Sequence, residues 1–65
     1  MNWDRIEGSW KEFKGKAQTQ WGKLTDDDLN VIKGNRAQLE GTLQKHYGYA
    51  KDKSKTEVDK WLDSI

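Results

Sequence analysis

Ile6-Glu-Gly-Ser-Trp-Lys-Glu-Phe-Lys-Gly-Lys-Ala-Gln-Thr-Gln-Trp-Gly22 is answered, without a gap, by Ile32-Lys-Gly-Asn-Arg-Ala-Gln-Leu-Glu-Gly-Thr-Leu-Gln-Lys-His-Tyr-Gly48. Ile6/Ile32, Gly8/Gly34, Gly15/Gly41, Gln18/Gln44 and Gly22/Gly48 are identical across this internal repeat. Chemistry is kept at Ser9/Asn35, Glu12/Gln38, Phe13/Leu39, Ala17/Leu43 and Trp21/Tyr47, and Trp3 and Asp4 fall opposite Leu29 and Asn30. Phe13, Ala17 and Trp21 recur every four residues, which puts them on one face of a helix. Leu39, Leu43 and Tyr47 repeat that stripe, so the spacing predicts the same helix twice.

Each copy carries its own punctuation. Trp3 to Glu7 reads as a short amphipathic helix broken by Gly8, after which Ser9 and Glu12 have capping-box spacing. Gly22 is placed as a C-terminal stop. Thr25 then caps a third helix, with Asp26, Asp27 and Asp28 in its first turn, where carboxylates favour the positive end of the helix dipole. Leu24 and Leu29 hold the two positions of a hydrophobic staple around that cap. The third helix turns Leu29 and Ile32 inward and stops at Gly34; Asn35 with Gln38 caps the fourth, and Gly48 ends it. Tyr49 to Ile65 has no counterpart, but Val58, Trp61, Leu62 and Ile65 are helically spaced. The expected fold is all-α: four to five helices, arranged as two tandem helical hairpins (3–22 and 29–48) closed by a C-terminal helix.

Sixty-five residues form one small domain near the lower limit for independent folding. A core of this size supplies roughly 3–5 kcal/mol, and small domains often add disulfides or a metal. Here there is no cysteine and one histidine, so four tryptophans, two tyrosines and one phenylalanine must provide the buried area. The N-terminus lacks the regions of a signal peptide and no apolar run is long enough to span a bilayer, so a cytoplasmic, monomeric protein without membrane association is expected. Net charge is only +1, and no segment is basic enough to announce nucleic-acid binding.

Trp10-Lys-Glu-Phe-Lys-Gly-Lys16, Gln20-Trp-Gly-Lys-Leu-Thr-Asp-Asp-Asp28, Tyr47-Gly-Tyr-Ala-Lys-Asp52 and Val58-Asp-Lys-Trp61 together resemble the CsbD-like family of small bacterial proteins associated with general stress responses. The resemblance runs from about Trp10 to Trp61. It implies a small helical domain with a stress-linked cytoplasmic role, and it carries over no catalytic or ligand residues.

The residues themselves point the same way. Three consecutive carboxylates on a helix diverge, so Asp26–Asp28 suit a cap better than a metal ion. His46 has no cysteine or second histidine with which to build a metal site or a nucleophilic triad. No catalytic, metal or cofactor residue is expected, and the chain is read as non-enzymatic.

A working surface is sought where the core makes no demand. Trp10 faces Arg36 in the repeat, a residue rarely buried, which marks it as a rim tryptophan open to a protein partner. Gly15 and Gly41 sit mid-helix, where glycine costs about 1 kcal/mol relative to alanine. With Phe13 as origin, Gly15 lies near ~200° and Gln18 near ~140° around the helix, away from the apolar stripe. Trp10, Gly15, Gln18, Gly41 and Gln44 are therefore the candidate interaction surface; the glycines would admit close backbone contact with the closing helix or a partner. Lys11, Lys14 and Lys16 follow one helix start and Arg36 the other, a weaker set of phosphate contacts. Two functions besides stress-linked binding stay open: a hydrophilin-like protectant under osmotic or dehydration stress, and a nucleic-acid-associated helical-hairpin module.

Overall fold

A computed structural model describes residues 2–65. Among them lie five helices and no strand: α1 Trp3–Gly8, α2 Trp10–Gln20, α3 Asp26–Ile32, α4 Arg36–Tyr47 and α5 Lys51–Ser64. The radius of gyration is 10.5 Å, against roughly 11 Å for a compact chain of this length. The all-α bundle expected from the spacing is the fold observed.

No helix here is long enough to be stable alone, so packing must hold all five. Every helix contributes to a single core. Ile6 comes from α1, Phe13 and Ala17 from α2, Leu29 and Ile32 from α3, Leu39 and Leu43 from α4, and Val58, Trp61 and Leu62 from α5, with Trp21 and Leu24 from the α2–α3 connection. Trp61 is the aromatic hub, tilted against Trp3 (6.3 Å between centroids) and edge-on to Trp21 (5.2 Å). α5 thus closes the two hairpins by placing its largest side chain between residues of the first. Ser54 is also fully buried on α5. Its hydroxyl donates to the Lys51 carbonyl (2.8 Å) and accepts from the Gln44 amide (3.4 Å), bonds that offset the cost of burying a polar atom.

The caps depart from the expected symmetry. Asn35 and Thr25 cap as expected, each with an extended backbone and a side-chain oxygen accepting from the residue three ahead. At Thr25 the box is complete, because Asp28 Oδ2 accepts from the Thr25 N–H. The Ser9 box does not form: its side chain makes no capping bond. Ser9 has φ −122° and ψ 34°, and its N–H is still bonded to the carbonyls of Arg5 and Ile6 while its own carbonyl accepts from Glu12 and Phe13. A capping side chain needs an extended residue to fold back over the first turn. A one-residue corner between α1 and α2 provides none. Asn2 caps α1 instead, accepting from the Arg5 N–H.

The stops differ as well. Gly48 ends α4 in a left-handed conformation (φ 68°). Gly22 is not left-handed; α2 ends at Gln20 and the chain leaves through a non-helical Trp21 (φ −125°, ψ 88°), whose side chain is pulled into the core. α3 ends on two left-handed residues, Lys33 (φ 48°) and Gly34 (φ 84°).

Candidate interaction surface

The tryptophans at the α1–α2 corner are anchored. Trp3 Nε1 donates to the Gly34 carbonyl (2.7 Å) and Trp10 Nε1 to the Leu29 carbonyl (2.9 Å). The Leu29 carbonyl already accepts from the Lys33 N–H at the end of α3, so the Trp10 indole adds a second bond there, while the Trp3 indole reaches the turn that follows α3. Trp3, expected to be buried, is half-buried. Trp10 is half-buried too, at the rim, but it is a brace between α2 and α3 with its one donor already used. Tyr47, also expected inside, stays half-buried; its hydroxyl accepts from the Lys23 N–H on the α2–α3 connection.

Gln18 and Gln44 do not form an idle outer face. The Gln18 amide donates to the Leu24 carbonyl and steadies the exit from α2, while Gln44 reaches Ser54 on α5. Helical angles alone misplace them because a glutamine spans enough distance to reach a neighbouring element. Gly15 and Gly41 are open: a Cβ built on either meets no atom within 4 Å. The closing helix makes no close approach at these positions.

Gly15 lies in an open groove between α2 and α3 with Lys11, Lys14 and Gln18, and Gly41 in another between α3 and α4 with Gln38 and Lys45. Volumes of about 370 and 350 Å³ match small-molecule sites. Each groove, however, has one aliphatic side chain in its lining, Leu29 or Val31, so neither offers apolar walls.

The basic candidates divide. Lys11 and Lys14 share their groove with Glu12 and Asp26, and the Lys16 ammonium sits 5.3 Å from the Phe13 ring centroid. Arg36 is engaged: Nε bonds Glu40 and Nη2 bonds Asp59, both at 2.7 Å, which ties α4 to α5. Burial opposes the charge on Arg36, but Glu40 and Asp59 outweigh it and hold the guanidinium charged more firmly than usual.

Two arrangements were not apparent in the sequence because they join distant elements. His46 Nε2 lies 2.7 Å from Asp28 Oδ2, linking the last turn of α4 to the first turn of α3. The Asp28 carboxyl is held below the ordinary carboxylate value by the Thr25 backbone N–H first, with His46 and the Thr25 hydroxyl adding to it against burial. At the α4–α5 corner Tyr47 and Tyr49 stack at 5.2 Å and 21°. Lys23 Nζ lies 5.0 Å from the centroid of Tyr47, and Lys53 Nζ lies 5.6 Å from that of Tyr49. Among the described residues no three His, Cys, Asp or Glu side chains are grouped to hold a metal ion, and no helix is long and apolar enough to cross a membrane.

A family profile described as CsbD-like matches residues 4–56. UPF0337 protein ECA0631 of Pectobacterium atrosepticum is 59% identical over 63 residues, covering 97% of this chain and 91% of the relative. UPF0337 protein RPA4217 of Rhodopseudomonas palustris is 58% identical over 65 residues, covering 100% and 98%. UPF0337 protein YjbJ of Escherichia coli (strain K12) is 56% identical over 61 residues, covering 94% and 88%. These names specify no substrate and no reaction. With the motifs, the fold and these relatives in agreement, the chain belongs to the CsbD-like family.

Proposed function

We propose that this chain is a non-enzymatic, cytoplasmic stress-response protein that acts as a folded domain presenting a binding surface. The observation that carries this reading is the pair of long-range indole bonds, from Trp3 to Gly34 and from Trp10 to Leu29. A protectant that works as a hydrated, solute-like chain has no use for directional contacts between residues 31 and 19 positions apart.

Thermal unfolding followed by circular dichroism and tryptophan fluorescence tests the reading. A single transition, coincident by both probes, is expected. A flat, low-helicity signal would favour the hydrophilin-like alternative.

A further inference from the structure

Net charge conceals a concentrated basic corner. Lys45-His-Tyr-Gly-Tyr-Ala-Lys-Asp-Lys-Ser-Lys55 carries four lysines against one aspartate, although the whole chain is only +1, so the remainder is net acidic. The fold brings Lys23 to this corner from another element, through its N–H bond to the Tyr47 hydroxyl and its ammonium beside the Tyr47 ring. Between Lys23 and Lys53 stand the two stacked tyrosines, both half-buried. Packing against the core explains why the rings are partly covered. It does not call for a lysine on each ring.

We propose that this corner binds single-stranded nucleic acid: the Lys23 and Lys53 ammonium groups swing from the Tyr47 and Tyr49 rings to the phosphates, joined by Lys51, and bases stack on the ring faces they leave. The proposal rests on the reading that the folded domain presents a surface, and it names that surface's partner. Flat rings interleaved with cations suit a strand that offers π-faces and phosphates in alternation. A duplex keeps its base faces stacked inside and has nothing to lay on tyrosine. A protein partner would be expected where aliphatic surface is exposed, and the exposed large aliphatic residue, Val31, lies on α3. His46 is held by Asp28, and the acidic side chains of the corner, Asp52 and Glu57, leave it net positive, with Glu57 bonded to Lys53 at 2.8 Å. Arg36 and the α2 lysines take no part. Arg36 is shared between two carboxylates, Glu40 and Asp59, and is 31% exposed, whereas Lys53 meets one, Glu57, and stays 51% exposed; Lys11 and Lys14 lie beside acids.

Fluorescence anisotropy with labelled oligothymidylate and oligouridylate, a duplex of equal length, and heparin tests this at about 50 mM and about 200 mM salt. Single strands are expected to bind at the lower salt and weaken at the higher. Lys23→Gln combined with Lys53→Gln should weaken binding on the order of tenfold, and Tyr49→Leu by a similar factor for single strands alone, leaving heparin unchanged. Absence of single-strand binding at low salt overturns the proposal, as does equal affinity for duplex or heparin, or an unchanged affinity in Tyr49→Leu. If Tyr49→Leu loses cooperative unfolding, Lys23→Gln with Lys51→Gln, both at exposed positions, decides instead: retained single-strand affinity overturns it. A cooperatively folded wild type that ignores single strands ends this proposal and spares the folded-surface reading. A wild type without a cooperative transition ends both.

Discussion

The indole N–H of Trp3 lies 2.7 Å from the carbonyl oxygen of Gly34, joining the first helix to the turn after the third. The same turn is closed from the other side: a Cβ on Gly34 would sit 2.9 Å from the Glu7 Cα and 3.3 Å from the Trp10 Cβ. Gly34 is thus required twice, for its φ of +84° and for the close passage of α1. Gly34→Ala should lose at least about 2 kcal/mol, from left-handed strain together with overpacking against backbone. Urea unfolding measures it, and an unchanged midpoint would mean that α1 can move away.

Gly15→Ala and Gly41→Ala should each raise stability by about 0.5–1 kcal/mol, since the new methyl enters open space within a helix. A loss at either position in the same denaturation assay would reveal a contact that the fold does not contain.

Trp10→Phe removes a donor while keeping an aromatic ring, and should cost about 1 kcal/mol by leaving one bond to the Leu29 carbonyl unmade. Indole N–H exchange read by NMR gives an independent check. The Trp3 and Trp10 signals should both be protected relative to free indole, and fast exchange of Trp10 would return it to the role of an unattached rim residue.

Acid stability should depend on Asp28. Its folded pKa is lowered, first by the Thr25 backbone N–H and also by His46, so the folded state binds fewer protons than the unfolded one. The contribution is present above the unfolded value of 3.8 and is lost as pH falls from there through the lower folded value. Asp28→Asn should flatten that part of a stability–pH curve. An identical acid limb in both proteins would remove Asp28 from the account.

The Arg36 bridge is partly solvated, with 31% of its side chain exposed, and solvent screening limits its worth to about 1 kcal/mol or less. Arg36→Lys should recover only part of what Arg36→Ala loses, because a single ammonium cannot reproduce the fork that holds Glu40 and Asp59 together.

Positions with helical periodicity were legible in the sequence. Phe13, Ala17, Leu39, Leu43, Val58, Trp61 and Leu62 are all buried, and Thr25 and Asn35 cap where their residue types and spacing suggested. Ser54 was invisible to a search for apolar stripes, since a serine inside is recognisable only with its partners Lys51 and Gln44 in view. The failure at Ser9 arises because capping depends on backbone conformation as well as residue type. The indole anchors, the Asp28–His46 pair and the Tyr47–Tyr49 stack all join elements that periodicity treats separately. Helical angles do not reveal the bonds of Gln18 to Leu24 and of Gln44 to Ser54, and the basic corner depends on Lys23 meeting Tyr47 from another element.

Whether the fold itself is needed for function is tested most directly by complementation in bacteria lacking the protein, under osmotic or dehydration stress. Ile32 is fully buried, and Ile32→Asp would place an unpaired carboxylate in the core of a domain whose whole stability is roughly 3–10 kcal/mol. At matched intracellular abundance, the wild-type chain should restore survival and Ile32→Asp should not. Equal rescue by the unfolded variant would contradict a surface-based function and assign the chain to solute-like protection.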